Sequence, residues 1–165
     1  MVIVLLAEGF EELEALSPVD ILRRADVDVK TVGISGKDVL GAHGISVRAD
    51  LLPEEVDKDE IDAVVFPGGM PGSLNLDASP YADKFIDAAL KNNGHIAAIC
   101  AAPLVLGRRG LLKGRRATCF PGFESELIGA VATGEAVVTD GNITTARDFR
   151  AAVEFGDELV KILKR

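Results

Sequence analysis

His95-Ile96-Ala97-Ala98-Ile99-Cys100-Ala101-Ala102-Pro103 is the stretch whose reading decides the fold. Residues 95–99 form a short apolar run that suits a strand buried on both faces, and residues 101–109 suit a helix. Upstream, residues 80–92 are amphipathic with helical spacing and end before Gly94. Residues 63–66 read as another buried strand, closed by Pro67-Gly68-Gly69. Residues 2–7 form a further apolar run, followed by helical spacing of Leu13, Leu16, Val19, Ile21 and Leu22 over residues 11–25. Pro18 is tolerable there only in the first turn or at a kink. Residues 27–34 read as a strand, 35–38 as a turn and 39–49 as a small hairpin. Downstream, a strand is expected over 116–119. Residues 136–139 and 143–146 flank Asp140-Gly141-Asn142, a hairpin signal. Residues 149–163 make a closing amphipathic helix. Strands alternating with helices imply an α/β layered fold with a mostly parallel sheet. Its ligand site is expected beyond the carboxyl ends of the strands, at residues 8–14, 67–72, 100–103 and 120–124.

The chain has 165 residues, 48% of them apolar and 27% charged. That size and balance predict one domain, residues 1–165, able to bury a core without staples. The net charge of −8 lacks the basic footprint of a nucleic-acid binder and gives no attraction to anionic membranes. Residues 1–7 are apolar, but Glu8 follows at once and no basic residue precedes, so no signal peptide is read. The apolar run 96–106 is too short to span a bilayer. Two cysteines outside any CxxC argue against a disulfide framework and for the reducing cytoplasm. The glycines match neither GxGxxG nor the P-loop, and two histidines without HxxxH spacing argue against zinc. No metal or cofactor is expected.

Cys100 lies at a strand-to-helix junction, the geometry of a nucleophile elbow. A helix starting at Ala101 would stabilise negative charge and lower the thiol pKa below about 8.5. A buried structural cysteine would share this position. Glu8, Glu11, Glu12 and Glu14 follow the first strand. Acids at a helix start are commonly solvated partners of the macrodipole. Alternatively, one of them projects over the sheet toward Cys100, where a thiolate would keep it protonated. Backbone amides at Gly68 and Gly69, with that of Ala101, could form an oxyanion hole. His43 and His95 do not adjoin Cys100 in sequence. His95 begins its strand, at the end opposite the site, whereas His43 in the hairpin could approach it. Cys119 ends the expected strand 116–119; were that strand next to the one bearing Cys100, both sulfurs would share one side of the sheet. Arg147 could pair with the acidic cluster or bind an anionic substrate.

VIVLLAEGFEELEALSPVDILRRA, VVFPGGMPG, HIAAICAAP and ATCFPGFE together resemble the ThiJ/PfpI (DJ-one-like) superfamily, nearer its ThiJ-like branch than its PfpI peptidase branch, over essentially the whole chain. The resemblance implies a flavodoxin-like three-layer α/β/α sandwich, usually a homodimer through the first helix and small hairpin. It places the oxidisable nucleophile on Cys100, a protonated glutamate on Glu14 and the oxyanion amides on Gly69 and Ala101. Glu11, Asp20 and Arg24 match further positions of the first helix. Some members have a histidine where this chain has Phe120, and the peptidase branch has one where Ala101 stands. Asp148-Phe149-Arg150 replaces the usual Gly-Pro-Gly after the family arginine, here Arg147.

The resemblance implies a cofactor-independent glyoxalase or deglycase acting on a small carbonyl substrate of the methylglyoxal type through Cys100 and Glu14. The alternative is a non-catalytic oxidative-stress sensor whose Cys100 becomes a sulfinate. A cysteine peptidase or amidase fits less well, because no histidine adjoins the nucleophile.

Overall fold

A six-stranded sheet organises the computed structural model, which describes residues 1–164. In chain order the elements are β1 (Val2–Leu6), α1 (Glu12–Arg24), β2 (Val29–Gly33), β3 (Asp38–Leu40), β4 (Ser46–Arg48), β5 (Ala63–Phe66), α2 (Gly72–Ala78) and α3 (Pro80–Lys91). They continue with β6 (His95–Ile99), α4 (Pro103–Arg108), β7 (Arg116–Ala117), β8 (Val131–Ala132), β9 (Val137–Asp140), β10 (Ile143–Ala146) and α5 (Ala152–Leu163). The sheet order is β2-β1-β5-β6-β10-β9, parallel throughout except for the edge strand β9.

Alternation within a doubly buried strand builds two cores. Ile3 and Leu5 of β1 pack with Phe85, Ile86, Leu104 and Val105, beneath α3 and α4. Val2, Val4 and Leu6 pack with Ala15, Val19, Leu22, Phe155 and Leu159, beneath α1 and α5. Side chains one residue apart leave opposite faces, so an unbroken apolar run is what a central strand requires. The result is the expected three-layer α/β/α sandwich with a small antiparallel hairpin, β3–β4. No helix among the described residues is long and apolar enough to cross a membrane.

Four local expectations need correction. The helix after Cys100 starts at Pro103 rather than Ala101, because Cys100 has a positive φ of 65° and residues 100–102 form a turn first. Pro18 lies in the second turn of α1, where it removes the bond its amide would give to the Glu14 carbonyl. The Gly/Pro-rich segment after Gly69 hides a helix, α2, which its composition did not signal. The strand expected over 116–119 is two residues long. It pairs with β8 in a separate ladder, so Cys119 is not on a neighbour of β6.

His95, at the amino end of β6, is buried, and its Nε2 lies 2.8 Å from Thr144 Oγ1. Burial pushes its pKa down from 6.5 to about 4, with Glu158 acting the other way. Such a group contributes stability above its unfolded pKa and loses it as pH falls through the folded one. Denaturant unfolding at pH 7 and pH 4 should show wild type losing about 3 kcal/mol more than His95→Gln. Equal losses would refute the burial of a neutral imidazole.

Candidate active site

Four segments meet at the carboxyl edge of the sheet, and Cys100 is at their centre. Its amide donates to the Ala146 carbonyl (2.9 Å), and its carbonyl accepts from the Phe120 amide (2.8 Å). These two bonds hold a non-glycine residue in the left-handed region, which costs on the order of 1 kcal/mol or more. The turn lifts the side chain off the end of β6. There the amides of Gly69 and Ala101 face the sulfur.

Glu14 approaches from α1. Glu11 caps that helix, its Oε2 accepting the Glu14 amide at 2.8 Å, while the Glu11 amide donates to the Gly68 carbonyl at 2.9 Å. The first turn of α1 is thereby pinned to the loop after β5. The Glu14 side chain is fully buried beside the Cys100 thiol and the Gly68 amide, and its Oε2 has no hydrogen-bond partner. Gly68 makes room for both groups. A Cβ there would lie 2.3 Å from Glu14 Oε2 and 2.6 Å from Cys100 Cβ. Gly69 has φ 90°, and a Cβ on it would strike the Glu11 amide at 2.4 Å.

Burial raises the Glu14 pKa from 4.5 to about 7, reinforced by the negative charges of Glu11 and Asp148 and opposed by the donors at Cys100 and Gly68. Burial and the Glu14 carboxylate push the Cys100 thiol well above its ordinary value, against the pull of the Ala101 and Gly69 amides. The expectation of a lowered thiol pKa is therefore corrected. The helix begins two residues later than that expectation assumed, and a buried acid stands beside the sulfur. The two groups compete for one negative charge and titrate as a pair.

The remaining residues singled out by sequence divide into neighbours and bystanders. Phe120 adjoins Cys100 through its backbone and is 39% exposed. Arg147 follows Ala146, and its Nε pairs with the buried Asp148 at 3.0 Å, so the ion-pair reading holds, with Asp148 as partner rather than the acidic cluster. The His43 ring pairs with Glu12 (Nδ1–Oε2 2.8 Å) and lies 3.7 Å from Glu11, which commits it to the acidic segment rather than to Cys100. Cys119 packs in the core beneath α3 and α4, whereas Cys100 packs against the other core. Burial raises the Cys119 thiol to about 11.

Two further acids hold the site together, Glu12 of the acidic cluster and Asp148 of the segment that follows Arg147. Glu12 is buried, and its Oε1 accepts the amides of His43 (2.8 Å) and Ile45 (3.4 Å), tying the hairpin to α1. Burial alone would raise its pKa, but these bonds and the His43 ring hold it below the usual range. Asp148 caps the next turn through the Arg150 amide (2.9 Å). The signal for it was present in the sequence: an acid two residues before the amide it caps.

A family model described as "DJ-1/PfpI family" matches residues 1–162. Protein dj-1beta of Drosophila melanogaster is 33% identical, over 98% of this chain and 88% of its own length. A deglycase of Pyrococcus abyssi is 34% identical over 99% of both chains. The solved structure of Toxoplasma gondii DJ-1, oxidized, superposes with a TM-score of 0.92 at 32% identity, covering 98% of this chain and 89% of that one.

Because the folded pKa of Glu14 exceeds 4.5, its burial is free of charge cost below that pH and becomes costly as pH rises through about 7. Wild type should lose about 3 kcal/mol of unfolding free energy relative to Glu14→Gln between pH 4.5 and pH 8. A difference that does not change with pH would show that Glu14 titrates in the folded protein as it does in the unfolded chain, and would refute the raised pKa.

Proposed function

This chain belongs to the DJ-1/PfpI family, and on that premise we propose that it converts small α-oxoaldehydes of the methylglyoxal type to hydroxy acids without a cofactor. The observation that carries the reading is Glu14, a fully buried carboxyl with one unpartnered oxygen, set beside the thiol of a strained elbow. Moving the pair's proton from sulfur to Glu14 gives a thiolate with two amide donors and an acid O–H beside it. That is the reactive tautomer, and the carboxylate–thiol form is its reservoir.

The thiolate adds to the aldehyde carbon, forming a C–S bond, while the aldehyde oxygen is held by the Gly69 and Ala101 amides and takes a proton from Glu14. The Glu14 carboxylate then removes the hydrogen from that carbon and returns it to the adjacent keto carbon, while the hydroxyl proton on the first carbon passes to the keto oxygen through the enediol. The first carbon is oxidised by two electrons and the second reduced by two, leaving a thioester of the hydroxy acid. Water breaks the C–S bond, releasing the acid and restoring the thiol. The deglycase name carried by the Pyrococcus relative supports carbonyl chemistry.

A second reading is favoured by the oxidized Toxoplasma relative. In it Cys100 reduces two peroxide molecules to water and becomes a sulfinate, which a protonated Glu14 stabilises by a hydrogen bond. Both cysteines are free thiols, which suits the reducing cytosol as the working compartment. A homodimer is part of the proposal. Leu13, Ile45 and Phe149 are 54%, 54% and 41% exposed and wall one cavity of about 390 Å³ between α1, the hairpin and the turn before α5. A second copy would cover it. Leu13→Glu should yield a monomer in sedimentation, and a dimer retained in that variant would place the interface elsewhere.

Lactate formation from methylglyoxal separates the readings. Cys100→Ser should abolish it, and Glu14→Gln should slow it at least about 100-fold. Gain of two oxygens at Cys100 under peroxide, with no lactate formed by wild type, would replace the enzyme by the sensor.

A further inference from the structure

The two amides that face the Cys100 sulfur, on Gly69 and Ala101, are each tied into the start of a helix. The Gly69 carbonyl accepts the Ser73 amide of α2 at 2.8 Å, and the Ala101 carbonyl accepts the Leu104 amide of α4 at 3.1 Å. α2 and α4 pack against each other. Their amino ends lead out of the loops around the sulfur, and their carboxyl ends are joined by charge. Asp77, near the end of α2, takes Arg108 Nη1 on Oδ2 and Arg109 Nη1 on Oδ1, both at 2.6 Å. Arg109 Nη2 also donates to the Asp77 carbonyl at 3.0 Å.

A third segment of the site runs to the same residue. The Phe120 amide holds the Cys100 carbonyl, and a chain of turns follows it. The Phe120 carbonyl accepts the Phe123 amide at 3.0 Å, and the Phe123 carbonyl accepts the Glu126 amide at 2.9 Å. The Glu126 carboxylate then receives Arg108 as a fork, Nε at 2.8 Å and Nη2 at 2.9 Å. Gly107 permits this approach, since a Cβ there would lie 1.9 Å from the Glu126 carbonyl oxygen. Three of the four segments around the thiol therefore end on one guanidinium. An isolated surface pair contributes little, but a planar fork held between two carboxylates fixes direction as well as distance.

We propose that Arg108 is a positioning residue: by clasping Asp77 and Glu126 it sets where the Gly69 and Ala101 amides stand relative to the Cys100 sulfur. This rests on the thiol chemistry proposed above, in which those amides hold the negative charge that develops on sulfur and on the carbonyl oxygen. Arg108 itself stands at the far end of α4 and acts only through the segments that it joins.

Alkylation of Cys100 by iodoacetamide at pH 8, followed on its own peptide by mass spectrometry, reports the thiolate and needs no turnover. Arg108→Ala and Asp77→Ala should each slow it about tenfold, as for a thiol pKa raised by about one unit. The opposite charges of the two residues separate positioning from simple electrostatics. Through-space charge alone would make Asp77→Ala faster than wild type and Arg108→Ala slower, whereas loss of the clasp slows both. General loosening of the fold would expose the sulfur and speed alkylation in both. Arg108→Lys keeps the charge without the fork and should be as slow as Arg108→Ala, and it carries the test should Arg108→Ala fail to fold. A faster or unchanged Asp77→Ala, or a wild-type rate in Arg108→Lys, would overturn the proposal. In lactate formation from methylglyoxal the same variants should lose kcat about tenfold at unchanged KM. A wild type that forms no lactate would refute the reaction proposed above, while the alkylation rates would still decide the role of Arg108.

Discussion

Cys100 sits at φ 65° because the chain on both sides leaves it no alternative. Its amide is tied to Ala146 on β10, and its carbonyl is tied to Phe120. One tether comes from the neighbouring strand of the main sheet, the other from the loop that leaves β7. A residue with a Cβ takes this conformation only when such contacts outweigh the steric cost. The rest of the site follows from that placement. The turn points the sulfur at the loop after β5, and only glycine at 68 and 69 lets that loop come close enough for its amides to face the sulfur.

The electrostatics are those of a site short of positive charge. Glu14 lies near Glu11 and Asp148, and each makes its ionisation harder. Arg147 neutralises Asp148 rather than Glu14. Negative charge in the pair is therefore stabilised by backbone dipoles and not by a cation. Fixed amides need no reorganisation when charge moves between oxygen and sulfur, which suits a group that gives up and regains a proton within one reaction cycle.

Much of the fold was legible because β1, β5 and β6 are buried on both faces and announce themselves as unbroken apolar runs. The helix Gly72–Ala78 was not legible, since the glycines and prolines of 67–72 that lead into it mark a turn, while the helix is held by packing against neighbours. Cys100 could be found from its junction between strand and helix. Choosing Glu14 among four acids needed the family resemblance, because the spacing of acids in a first turn does not say which one is buried. The sign of the thiol shift was misread for the same reason. A helix dipole can be inferred from sequence, but the buried carboxyl beside it depends on how α1 docks on the loop after β5.

Glu12 has a consequence for how this architecture can vary. Its buried carboxylate is matched to amides at two fixed places in the hairpin loop, His43 and Ile45, and Gly41 leaves it no spare volume. A loop one residue longer or shorter would shift those amides out of reach and strand an anion in the interior, at a cost of several kcal/mol. The carboxylate therefore acts as a ruler for the 41–45 connection. Length changes between β3 and β4 are tolerable only when the acid changes with them, so the two segments are bound to evolve as one unit.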